Sequence, residues 1–244
     1  MKIKNIAVGL LILGFMIPNF SLAGGNTFCD QLLGSAGTNA DVKKATTNLN
    51  TESKKIAKEL TRDEKLATNK GVSDGKKIQS TTAKEITSST KLTSKQKKTY
   101  TNAQATALAT YNTTISGLTT ARNTAVGGAL TKYSADITTA INNRKTDSNS
   151  LLNSYTTAVA NALTKAQDDC ANILSVSSIA KNTYNTSIAN AYTTYKTGIA
   201  SKTSAFVDSI TSARTTRTAT INTAKNTFDS AVATAKATFT TAMQ

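Results

Sequence analysis

An eleven-residue repeat constrains this chain more than any other feature of its sequence. From residue 100 onward, the same kinds of side chain return every eleven positions, with one seven-residue step between Ala166 and Ile173. Aromatic residues occupy most of the first positions of the repeat, Ile or Val most of the fifth, and Ala or Leu most of the eighth. An internal repeat of this kind indicates a regular architecture in which each repeat makes the same contacts.

The spacing of the repeat predicts helices. Eleven residues in three turns correspond to about 3.67 residues per turn, so the first, fifth and eighth positions form one narrow stripe, and helices that bury it wind into a right-handed supercoil. Threonine favours strands, but a half-buried strand requires alternation with a period of two, which is missing here. The predicted fold is therefore all-α, with long helices in a right-handed coiled coil, or in an elongated antiparallel helical hairpin or three-helix serpentine.

The predicted core consists of large side chains at the first and fifth positions of the repeat. These residues are Tyr111, Ile115, Tyr133, Ile137, Tyr155, Val159, Tyr184, Ile188, Tyr195, Ile199, Phe206, Ile210, Ile221, Phe228, Val232 and Phe239.

This pattern, over residues 100–243, resembles that of the secreted hendecad coiled-coil proteins of bacteria. The resemblance implies a long right-handed coiled coil with a structural or surface role, and it implies little about activity. Arg122, Arg144 and Arg217 depart from the pattern, because they replace aromatic residues at the first position. They suit either an anion site inside the bundle or, as we favour, a polar layer that sets the register and stacks on a neighbouring tyrosine.

Residues 1–23 are predicted to be a signal peptide. Lys2 and Lys4 precede the apolar run 6–17, and small residues stand before a cleavage point after Ala23. An uncleaved anchor is the alternative. We therefore expect the protein to be exported to the periplasm, the cell surface or the medium.

Three further regions are predicted. Residues 24–40 are expected to be irregular, and residues 41–98 to be a lysine-rich helical region with a turn at 71–75, where the sequence reads GVSDG. Residues 99–244 form the hendecad-repeat region, with a candidate turn near 142–150 and a continuous helix as the alternative.

The two predicted turns place the only two cysteines at nearly the same level. An exported chain permits disulfides, so a bond between Cys29 and Cys170 is expected within a three-helix serpentine. Two free thiols, or a dimer linked through Cys170, are the alternatives. In this arrangement the repeats from Arg217 onward overhang and are available to another molecule.

The composition favours an interaction role over catalysis. The chain has no histidine, which is the commonest acid-base residue and metal ligand, and we predict no catalytic residue, metal, cofactor or small-molecule substrate. The net charge is +15, and residues 41–98 hold 15 basic and 7 acidic residues. Such a field attracts polyanions, although dispersed lysines also serve solubility alone. The candidate polyanion contacts are Lys54, Lys55, Lys58, Lys91, Lys95, Lys97 and Lys98.

Two functions are consistent with the sequence. The leading hypothesis is an exported, non-enzymatic coiled-coil protein with a structural, spacer or surface-interaction role, whose partner is itself in a homo-oligomer or another coiled-coil protein. The alternative is a basic helical module that binds a polyanion, either nucleic acid or an anionic polymer of the cell envelope.

Overall fold

Helices account for nearly all of the described part of the chain. A computed structural model of the protein describes residues 27–35, 39–99, 101–172 and 177–244, which form four helices and no strand. The helices are α1 (Phe28–Ser35), α2 (Ala40–Thr90), α3 (Asn102–Ala171) and α4 (Ser177–Ala242). The predicted all-α class is confirmed. The predicted signal peptide lies outside the described residues, and no described helix has the length and hydropathy that a membrane crossing requires.

Side-chain caps set where α2 and α3 begin. The Asn39 side-chain oxygen accepts hydrogen bonds from the backbone N–H groups of Asp41 at 3.0 Å and Val42 at 3.3 Å. The Thr101 hydroxyl accepts the N–H of Gln104 at 3.1 Å. Such caps satisfy N–H groups that have no partner in the first helical turn.

The connection between α2 and α3 contains its own capping box. The Gln96 side-chain oxygen accepts the Thr93 N–H at 3.0 Å, and the Thr93 hydroxyl accepts the Gln96 N–H at 3.3 Å. This reciprocal pair closes one turn after α2 has ended. Nearby Leu92 is buried against Tyr111 and Phe239, so an apolar residue anchors the connection.

Threonine is compatible with these helices because its hydroxyl bonds to the helix itself. In α3, the Thr113 hydroxyl donates to the carbonyl of Ala109 at 3.1 Å, and in α4 the Thr218 hydroxyl donates to that of Arg214 at 2.9 Å. This bond, four residues back along the helix, lets a β-branched polar residue occupy exposed helical positions. The helical period of the core therefore outweighs the strand preference of threonine.

The chain divides into two compact units. Among the described residues, unit 1 comprises 27–35, 39–53, 152–172 and 177–196, and unit 2 comprises 54–99, 101–151 and 197–244. In unit 1, α1 contacts the beginning of α4 and the end of α3. The ring of Phe28 lies 5.8 Å from that of Tyr184, and a disulfide joins Cys29 to Cys170, with the two Cα atoms 5.2 Å apart.

In unit 2, α2 and α4 each run antiparallel to α3. Tyr111, near the start of α3, contacts Phe239 near the end of α4, while Leu151, later in α3, lies beside Gly198. A central cluster contains Tyr133, Ile137, Ile141 and Ala213. The core is thus a row of side-chain layers between antiparallel helices.

The predicted turn at 71–75 is wrong, because α2 continues through it. Its glycines lie on the side of α2 that faces α3. A Cβ atom added to Gly71 would lie 3.4 Å from Ile137 Cδ1 and 3.7 Å from Tyr133 Cε1, and one added to Gly75 would lie 3.9 Å from Leu130 Cδ2. These are ordinary contact distances, so the glycines mark an interhelical contact in which a larger side chain would also fit, and they do not mark a turn.

The predicted turn near 142–150 is also wrong, because α3 is helical throughout this polar run. Arg144 and Ser148 are buried, and ion pairs hold the run to its neighbours. Lys145 Nζ lies 2.7 Å from Glu64 Oε2 of α2, and Asp147 Oδ2 lies 3.3 Å from Lys202 Nζ of α4. Arg144, Lys145 and Asp147 have partners on the neighbouring helices, and the run does not mark a break.

Three related expectations also change. The region predicted to be irregular, residues 24–40, contains α1 and the first residue of α2. The Cys29–Cys170 disulfide is present, but the chain reverses after Thr90 and after Ala171, and residues 173–176 lie outside the described part. The repeats from Arg217 onward do not overhang, since Arg217, Phe228 and Phe239 are buried in unit 2.

Two glycines provide a matched test of the packing in unit 2. Gly127→Ala should stabilise the protein by about 1 kcal/mol, because its surroundings are open and alanine is the better helix former. Gly198→Ala should destabilise it by about 1 kcal/mol net, because the new Cβ atom would lie 2.6 Å from Leu151 Cδ2. Urea unfolding measures both values, and equal gains at the two positions would contradict the close contact.

Candidate functional site: layers of acid, arginine and aromatic ring

A column of acidic residues runs along α2 with the same period of eleven. Its members are Asp41, Glu52, Asp63, Asp74 and Glu85. The signal for this column is present in the sequence as five acids at intervals of eleven, but it was missed among the lysines that surround it. Since three turns separate successive members, all of them face the same side of the helix.

The first positions of the repeat in α3 and α4 face one another in unit 2. The rings of Tyr111 and Phe239 lie 5.2 Å apart. One repeat further along α3, the Arg122 guanidinium lies 4.9 Å from the centre of the Phe228 ring. After another repeat, α4 provides the arginine and α3 provides the ring. The Arg217 guanidinium lies 4.2 Å from the ring of Tyr133. Each step of eleven along α3 therefore matches a step of eleven back along α4.

Each of the three arginines at these positions also pairs with a member of the acidic column. Arg122 Nη2 donates to Glu85 Oε2, Arg144 Nε lies 3.9 Å from Asp63 Oδ2, and Arg217 Nη1 lies 3.6 Å from Asp74 Oδ2. The arginines are 3%, 3% and 7% exposed. The charge at the centre of each layer is therefore compensated from a third helix.

The ring and the carboxylate act on different parts of a buried guanidinium. In Arg122, Nε and Nη1 have no hydrogen-bond acceptor among the described residues, and the same is true in Arg217. A ring face attracts a cation without accepting a conventional hydrogen bond, and a carboxylate provides the opposite charge. Because an uncompensated buried charge is very costly, both partners are needed in these layers.

The arginines also determine the register between α3 and α4. Tyr133, which faces Arg217, is flanked one repeat away on each side by Arg122 and Arg144. A slip of one repeat in either direction would therefore place Arg217 opposite another arginine. Juxtaposed like charges cost several kcal/mol, whereas a core made only of aromatic rings would tolerate the slip. Of the two interpretations from the sequence, the polar register-setting layer agrees with this geometry.

Unit 1 contains tyrosines where unit 2 has arginines. The rings of Tyr155 and Tyr195 stack 5.2 Å apart, and the Tyr192 hydroxyl donates to Glu52 Oε1 at 3.2 Å. Lys196 Nζ lies 3.7 Å from Glu52 Oε2. Glu52 is thus paired here with a lysine and accepts a hydrogen bond from a phenol, without a buried guanidinium.

Tyr184 occupies the next such position in unit 1. Burial, followed by smaller effects of the nearby Asp41 carboxylate and Tyr155, raises the pKa of its phenol to about 12. Lys181 Nζ pairs with Asp41 Oδ2 at 3.4 Å. The Tyr184 hydroxyl has no hydrogen-bond partner among the described residues, so the ring is held by packing, including its contact with Phe28.

The structure places the two groups of predicted residues differently. Every predicted core residue is buried or half-buried, and the half-buried ones are Ile115, Ile188, Ile199, Phe206, Ile210 and Ile221. The lysines predicted as polyanion contacts are all exposed. In the part of the chain that is described, no group of His, Cys, Asp or Glu side chains has the arrangement of a metal site.

Comparisons with protein-family models, with curated proteins and with solved structures find no match to this chain.

The acid–arginine layers can be tested at Glu85. Glu85→Gln keeps the shape of the side chain but removes the charge that compensates buried Arg122. We expect a loss of about 2 kcal/mol, below the range for a fully buried pair because the Glu85 side chain is 34% exposed. Thermal unfolding should show a decrease in Tm of about 5 °C.

Glu59→Gln is the matched control. It removes the same charge from the same helix at a position with no ion pair among the described residues, so stability should change by less than about 0.5 kcal/mol. Equal effects of the two substitutions would show that the layer contributes nothing specific.

A second test uses alkaline pH. Because the folded pKa of Tyr184 is about 12 and the ordinary value is 10.0, the stability that it contributes is complete below pH 10 and is lost as pH rises toward 12. The loss should amount to roughly 2 kcal/mol. Tyr184→Phe should remove this part of the alkaline loss and change stability little at pH 7. Parallel pH–stability curves for the two proteins would contradict the assignment.

Proposed function

We propose that this protein is an exported, non-enzymatic coiled-coil protein that acts as a structural spacer. In this proposal α2, α3 and α4 of a single chain form a right-handed antiparallel coiled coil. The function rests on rigid, regular helix packing and not on a reaction at one site.

The observation that carries the proposal is the common period of the three long helices. The acids of α2 and the first positions of α3 and α4 all recur every eleven residues, and they meet in layers that contain one residue from each helix. Helices keep such a stripe in contact over a long distance only if they supercoil to match its period, and a period of eleven corresponds to a right-handed supercoil.

The polar chemistry of the layers supports a structural role. The carboxylates of Asp63, Asp74 and Glu85 are engaged by arginines, and those arginines are themselves buried in contact with the other helices. Groups that are held in this way determine register and orientation.

Export is supported by two independent features. The sequence begins with the basic and apolar pattern of a signal peptide. The disulfide between Cys29 and Cys170 suits a protein that matures in an oxidising compartment. Mass spectrometry of the mature protein should therefore show a chain that begins at Gly24 and contains this disulfide.

Small-angle scattering with a molar-mass measurement tests the spacer role. A coiled coil as long as α3 should have a radius of gyration of about 30 Å, whereas a compact protein of 244 residues would have about 18 Å. A value near 18 Å would contradict the proposal. The homo-oligomer expected from the sequence stays a prediction, and the molar mass tests it in the same experiment.

A further inference from the structure

The acids and the lysines of α2 in unit 2 face different surroundings. Asp63, Glu64, Asp74 and Glu85 pair with basic residues of α3 or α4. This part of α2 has one other acidic residue, Glu59, which is half-buried. Nearly all the negative charge of this helix segment is therefore already neutralised by its neighbours.

The lysines of the same segment are exposed. Here the lysine face means Lys54, Lys55, Lys58, Lys65, Lys70, Lys76, Lys77 and Lys84. None of them forms an ion pair among the described residues, and four of the five acids of this segment pair with residues of α3 or α4. Most lysines of α3 and α4 in this unit behave differently: Lys132, Lys145, Lys202 and Lys225 each pair with an acid, while Lys236 donates to the carbonyl of Lys91. The lysines of this α2 segment therefore carry positive charge that no acid among the described residues compensates.

The lysine face has a regular linear arrangement. Lys54, Lys65 and Lys76 follow one another at intervals of eleven residues, so they lie on one side of α2 about 16 Å apart. Lys55 and Lys77 adjoin this row. Together they form a line of positive charge along a single helix, near which almost no free carboxylate would repel an anion.

We propose that the lysine face binds a flexible linear polymer that carries phosphate charges. Each lysine is a compact, mobile point charge, and neutralising polymer charges releases counterions, which drives binding. A flexible chain follows a straight row of lysines, whereas the phosphates of a duplex follow a helical path. This interaction goes beyond the spacer role and does not depend on it.

Recognition of bases has no support on this surface. Residues 54–90 include no aromatic residue on which a base would stack, and Arg62 is their only arginine. Stacking on aromatic side chains and bidentate contacts from arginine are the usual means by which proteins bind bases. Binding should therefore depend on charge and chain length, and not on nucleotide sequence.

The test measures binding of the full chain to fluorescently labelled inorganic polyphosphate over a series of salt concentrations. The variant Lys54→Gln, Lys65→Gln, Lys76→Gln removes three charges from the lysine face. Its affinity at 0.1 M salt should fall at least tenfold, and the slope of log affinity against log salt should decrease in magnitude by about 2, at roughly 0.7 per lost contact.

The matched control is Lys132→Gln, Lys202→Gln, Lys225→Gln, which removes the same charge from lysines that are already paired. It should keep nearly the slope and affinity of the unmodified protein. Equal losses in the two variants would overturn the proposal, because net charge alone would then explain binding. No binding of polyphosphate, or tighter binding of duplex DNA or of vesicles of anionic lipid, would overturn it as well.

Discussion

The packing of unit 2 depends on the compensation of buried arginine. A guanidinium at the centre of a layer needs an opposite charge and a surface on which to lie, and no single neighbouring helix provides both. For Arg217, α3 provides the Tyr133 ring and α2 provides the Asp74 carboxylate. One buried cation therefore connects three helices, and the period of eleven repeats this requirement along the unit. The layers between the arginines contain rings and small apolar residues, and these layers resemble one another. The arginines therefore determine which layer of α3 meets which layer of α4.

The same arrangement accounts for the distribution of charge on the surface. The buried arginines and several lysines of α3 and α4 pair with the acids of α2, and the remaining lysines of α2 are left facing solvent. The net charge of +15 is thus not spread evenly over the described helices. The pairing of acids with arginines in the core thus leaves a row of lysines on the surface of α2 without an acidic partner among the described residues. This connection joins the proposed structural role to the proposed binding of a phosphate polymer.

Errors in the sequence analysis have a common physical cause. Gly71 and Gly75 suggested a turn, and the polar run around Arg144 suggested another, because both are poor local formers of helix. In the structure, the glycines lie within α2 where it contacts α3, and Arg144 and Lys145 bind partners on α2. Local propensity does not contain this information. The capping pattern of Thr93 and Gln96 was a usable signal for the true reversal, and so was the regular spacing of acids in α2.

The sequence by itself determined the helical class, the period of the core and the residues that form its stripe, because a repeat of eleven is compatible with only one regular secondary structure. It also drew attention to the two cysteines and to the arginines in aromatic positions. Only the tertiary structure decided where the chain reverses, which acid and ring each arginine contacts, and which lysines are left unpaired. These features depend on pairs such as Glu85 and Arg122, which are 37 residues apart. Periodicity restricts the face on which a residue lies, but the partner on that face is decided by the register between helices.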